Sequence, residues 1–246
     1  MEMILLDWTR MGKSYCLAGV ILQENGQLKT VRPLRASHSQ LEIRNVGWPL
    51  ETMEGKSRWD VFELVNPKAT LLEAPHLEDL WVDGLKPRGK LNDLARRKAI
   101  LEGTLRASSQ PWFGVPLATT RSAAYLTPGT GSRSLTSVLV SSQQITFFGS
   151  WCRGKEKPDF RVTLGIPGLQ HLSLPVKDHS LLRRAETSSD HIVEQLQEMT
   201  RAVQQMGERV LVRLGLSRGF ASHPARLGSV CWLMADGFFS YHDPQC

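Results

Sequence analysis

No Cys-x-x-Cys pair occurs in this chain of 246 residues, whose four cysteines, Cys16, Cys152, Cys231 and Cys246, are scattered. With no basic, apolar, small-residue leader at the start, that usage points to a reducing, cytoplasmic compartment. Cys16 and Cys231 lie in apolar strand-like runs and are expected to be small buried hydrophobes. No stretch approaches the ~20 consecutive apolar residues that span a bilayer, so no membrane role is expected.

Catalytic signatures are missing as well. There is no Gly-x-Ser-x-Gly elbow and no helical His-Glu-x-x-His. Gly12-Lys13-Ser14 matches the end of a phosphate loop, but Asp7 stands where the leading glycine is needed, and a strand follows instead of a helix. Gly129-x-Gly131 lacks the third glycine of a dinucleotide loop. Glu54-Gly55-Lys56 has the acid-x-Lys spacing of a metal-dependent nuclease, yet it reads as a turn. No catalytic residue, cofactor or metal is therefore expected.

What the chain does contain is strand signal. From Ile4 to Leu34 three strands form a β-meander, with Asn25-Gly26 supplying the positive φ of a tight hairpin. LEIRNVGWPL and SRWDVFELVNP bring the count to about five strands before residue 75, the number that an OB barrel uses. Residues 71–93 break into prolines and glycines and read as a connector. LNDLARRKAILEGTL is a helix capped by Asn92, and 106–138 is a long loop. Strands resume with VLVSS, QQITFFGSWC, FRVTLGI and HLSLPV. A helical region then begins at Asp178, and its second part, HIVEQLQEMTRAVQQM, is capped by Ser189 or Asp190 and stopped by Gly207. RVLVRLGLSR and SVCWLMADGFFSY close the chain as strands.

LLDWTRMGKSYCLAGV followed by VRPL resembles the opening of the dual OB-containing domain, a bacterial family, and PHLEDLW, LVRLGLSRGF and VCWLMADGFFSYHDP are similar to its middle and closing segments. The resemblance implies two consecutive OB-like barrels and a role at nucleic acid, and it brings no catalytic residues. The expected fold is thus mainly β with attached helices: a first barrel over 1–85, a connector with a basic helix and a loop over 86–134, and a second barrel with an inserted helix over 135–246. Since the connector lacks flexible Gly-Ser repeats, the halves are expected to share one interface.

The formal charge is +6 and the pI 9.3, a balance that favours acidic partners such as nucleic acid. The expected function is a non-enzymatic module for single-stranded DNA or RNA, extending to an accessory component of a bacterial multi-gene system. Arg10 and Lys13 in the first turn, Arg32 past the hairpin, Arg213 and Arg218 near the end, and the aromatic Trp8 are the candidate contacts. Lys86, Arg88, Lys90, Arg96, Arg97, Lys98 and Arg106 make the most basic stretch. The alternatives are a protein-recruitment scaffold and a metal-dependent nucleic-acid-processing enzyme. His76, Glu78 and Asp79 form a clustered His and carboxylate set, read either as a ligand group or as hydrogen bonds that tie the connector between the barrels.

Overall fold

A computed structural model describes residues 1–11, 14–35, 47–69, 73–106, 111–151, 158–221 and 229–243. The protein is mainly β, with two curled half-barrel sheets and a few helices.

The first sheet holds β1 (Glu2–Met11), β2 (Ser14–Leu22), β3 (Leu28–Arg35), β4 (Trp48–Pro49), β5 (Asp60–Val65), β6 (Lys68–Ala69), β7 (Asp79–Val82) and β8 (Gly84–Lys90), in the order β6-β7-β3-β2-β1-β5-β8 with β4 beside β2. The expected meander is present, and Gly26 has φ +79° at its hairpin. Of LEIRNVGWPL, 41–46 lie outside the described residues. Within the expected connector over 71–93, 79–82 and 84–90 are instead strands of the sheet. β7 pairs in parallel with β3, and β8 tolerates Pro87 and Gly89 because it is an edge strand, with no neighbour on one side among the described residues.

After β8 comes α1 (Leu94–Thr104), capped by Asp93, not Asn92: the Asp93 carboxylate accepts from the Arg96 amide at 3.1 Å. The segment expected as a loop carries β9 (Ala118–Thr119), β10 (Ala124–Leu126) and the start of β11 (Leu135–Ser141). Then follow β12 (Ile145–Ser150), β13 (Asp159–Leu164), β14 (Leu174–Pro175), α2 (His179–Ser188), α3 (Ile192–Gln205), β15 (Arg209–Leu216), β16 (Phe220–Ala221) and β17 (Ser229–Ser240). The second sheet runs β11-β15-β17-β10-β9 with β16 beside β17, and β12-β13-β14 form a smaller third sheet. Asp178 caps α2, accepting from Leu181 N at 3.2 Å. His191 is the α3 N-cap residue, and Ser189 Oγ accepts from its amide instead of from the first helical turn.

Three apolar clusters hold the fold. One lies inside the first sheet, around Leu5, Leu17 and Phe62. A second lies inside the second half, around Phe147, Val212 and Phe238. The third is a seam between them: Ile4, Leu6 and Trp59 from the first half meet Leu211 and Phe239 from the second, with Ile100 and Leu101 of α1. The strands that meet there are covered on both faces, as the buried runs of β1 and β15 show.

β-Bulges decide which side chains enter the seam. Along β1, Met3 and Leu5 point to the first core while Ile4 and Leu6 point to the seam. Uninterrupted alternation would send Asp7 into the apolar core. A register shift between Leu5 and Asp7 inverts the phase, so Trp8 takes the core position and Asp7 faces the second sheet. A second shift lies where Arg213 pairs with Gly237 and Leu214 with Ala235, leaving Asp236 as the extra residue of β17.

Candidate nucleic-acid interface

The polar side chains of the seam form a chain of ion pairs joining the two halves. Arg213 Nη2 donates to Asp7 Oδ2 at 2.6 Å, its Nε to Asp7 Oδ1 at 2.9 Å, and its Nη1 to Ser137 Oγ at 3.1 Å. Arg58 Nη2 reaches Asp178 Oδ2 at 2.6 Å and its Nη1 donates to the Phe238 carbonyl at 2.8 Å. Arg32 and Arg218 converge on Asp79, at 3.5 and 2.6 Å. Glu78 accepts from the amides of Ser134 and Leu135 and from Ser134 Oγ. The Arg213–Asp7, Arg58–Asp178, Arg218–Asp79 and Glu78–Ser134 contacts cross from one half to the other, whereas Arg32–Asp79 lies within the first and Arg213–Ser137 within the second.

His76 sits inside this network with its tautomer set. Arg32 Nη1 lies 2.8 Å from Nδ1, and a guanidinium only donates, so Nδ1 is the acceptor and Nε2 carries the proton, which points to the Ser217 carbonyl at 3.1 Å. Burial, and then the Arg32 and Arg218 cations, push the imidazole down to about 2. Both ring nitrogens are thus engaged, and among the described residues no group of three His, Cys, Asp or Glu could hold a metal ion. His76, Glu78 and Asp79 tie the two halves together.

The contacts named from the sequence are distributed accordingly. Arg32 and Arg213 are buried, at 4% and 1% exposure, and their guanidiniums are held by carboxylates. Arg218 is brought to Arg32 through Asp79, and Arg10 is turned to Glu186 of α2 at 2.6 Å. Trp8 is buried against Tyr15 and His179, with ring centroids 5.2 and 4.3 Å away. Lys13 lies outside the described residues. Arg32, Arg213 and Trp8 therefore do not line an exposed rim. A signal for this was present: a charged residue in the middle of an apolar strand run, as in LLDW, LVRLG and LMADGF, marks a side chain that burial obliges to find a partner.

Exposed positive charge lies elsewhere. Between Lys86 and Arg106 there are seven basic and two acidic residues, a net +5 of the chain's +6. Of the seven, only Arg97 is buried: its Nε donates to the Leu91 carbonyl at 2.6 Å and its guanidinium lies 5.2 Å from the Trp59 ring centroid. On β8, Lys86 faces Glu63 and Lys90 faces Asp60 across the ladder, while Arg88 is the bulged residue and pairs with Glu63. On α1, Lys98 approaches the Tyr241 ring to 5.5 Å, and Arg209 flanks the same ring at 5.2 Å. Arg106 follows the helix, and partial burial and then the Arg133 cation lower its pKa. No family model, curated protein or solved structure matches this chain. The reading of the interface rests on its own geometry.

Proposed function

We propose that the protein binds nucleic acid, in single-stranded form, through the basic segment of β8 and α1 and without chemistry of its own. The observation that carries the reading is the concentration of nearly all the net charge in 86–106, with six of its seven cations outside the core. The exposed Arg88 pair with Glu63 is no obstacle, since a pair in solvent contributes about 0–1 kcal/mol and a phosphate can replace the carboxylate. Tyr241, between two cations, adds a ring beside the charge.

Binding by backbone charge falls steeply with salt. Fluorescence anisotropy with labelled single-stranded DNA and RNA at several salt concentrations should give a slope of ~0.7 log units per log unit of salt for each phosphate contact. Replacing Lys86, Arg96, Lys98 and Arg106 with alanine should reduce that slope by up to ~2.8 and weaken binding at every salt concentration. Arg10→Ala with Lys13→Ala forms the second arm, because Arg10 is only partly buried, in its pair with Glu186. Absence of binding at low salt, or binding indifferent to both sets, favours the recruitment scaffold. That second reading draws on the exposed Trp151 and Val193, at 56% and 62%, beside the edge strand β12.

A further inference from the structure

The ionic cluster of the seam is balanced without Asp236. Arg32, Arg58, Arg213 and Arg218 stand against Asp7, Glu78, Asp79 and Asp178, four charges of each sign, and His76 is neutral. Asp236 is a fourth carboxyl in the same place, 5% exposed, and its Oδ1 has no hydrogen-bond partner among the described residues. Its position is set by the backbone: as the bulged residue of β17 it folds back over Gly215, where an added Cβ would lie 1.7 Å from Oδ2. It borders a cavity of about 30 Å³ shared with Asp7, Thr9, Cys16, Arg32 and Ser217, room for about one water and no larger ligand. Arg32 Nε is also buried without a partner among the described residues.

We propose that Asp236 is protonated in the folded seam and serves as a proton-operated switch: neutral, it completes a balanced cluster, and ionised, it adds an unmatched carboxylate that loosens the second sheet from the first. The surrounding groups oppose its ionisation on balance. Burial, then Asp7 of β1, raise its pKa to about 7, against the pull of Arg32 of β3, Arg213 of β15 and Lys177 ahead of α2. Arg218, after β15, is closed on Asp79, and the Cys16 thiol of β2 is itself pushed up by burial and stays neutral in this range. The sign follows from the raised value. The folded protein holds this proton more tightly than the unfolded chain, so the acid form is favoured by folding, and the cost of ionising it appears as pH climbs from about 4 to about 7.

The test uses the full chain with its aspartate carboxyl carbons labelled. The Asp236 signal should titrate with a midpoint near 7, about three pH units above an ordinary aspartate. Hydrogen exchange of β15 and β17 amides, corrected for its intrinsic pH dependence and taken as a ratio to Asp236→Asn, should report opening that rises by up to about tenfold per pH unit between pH 5 and 7. A midpoint near 4, or a ratio that does not change with pH, overturns the proposal. Should Asp236→Asn not fold, the carboxyl titration of the unaltered chain decides alone.

Discussion

Asp7→Ala is expected to cost about 3–5 kcal/mol, read as a lower midpoint in urea unfolding, because it strands the Arg213 guanidinium in the seam. Arg213 is 1% exposed and its two strongest donors converge on one carboxylate. Ser137 Oγ, its remaining contact at 3.1 Å, offers a dipole where a charge was. Arg213 is too deeply buried for bulk water to take the place of the carboxylate, so the penalty falls on the docking of the two halves. Replacing both partners at once, Asp7→Leu with Arg213→Met, should recover much of the loss, since two apolar side chains need no partner. A single substitution that costs under about 1 kcal/mol would mean that solvent already enters the seam.

Acid should destabilise the fold through His76, and most visibly when Asp236 has been replaced by asparagine. The folded imidazole is held down to about 2, while the unfolded chain takes up the proton near 6.5. Its contribution is therefore complete above pH 6.5 and is lost as pH falls below that value, by about 3 kcal/mol at pH 4.5. His179, lowered to about 4 by burial and then by Arg10 and Arg183, acts in the same direction. Asp236 runs the other way over the same interval, so in the unaltered protein the terms partly offset. Urea midpoints at pH 6.5 and 4.5 should show the larger drop in Asp236→Asn. A variant equally stable at both values would place a charged or solvent-accessible imidazole at His76.

The elements legible from the residues were those whose signals are local. Alternation and Asn25-Gly26 sufficed for the opening meander, and Asp178 marked the start of the helical region that opens with α2. β7 and β8 were hidden because Pro75, Pro87 and Gly89 look like breakers, and only the sheet shows that β8 needs donors on one side alone. The deeper difficulty lay with the charges. Arg32 and Arg213 are indistinguishable by type from surface cations, and which face of a strand is covered depends on a second sheet far along the chain and on bulges that invert the alternation. The basic run from Lys86 to Arg106 was visible directly, because exposed charge needs no tertiary contact to define it.

The Asp7 to Arg213 pair spans 206 positions, and that distance has a meaning during synthesis. At about 5–20 residues per second, a ribosome needs roughly 10 to 40 s between placing one partner and the other. The first three strands have ample time to assemble, but the side of β1 that ends up covered must wait in water. Asp7 keeps that waiting surface hydrated, among Ile4 and Leu6 that would otherwise invite a neighbouring nascent chain. The same carboxylate that locks the finished molecule is thus a solubilising group for the half-made one.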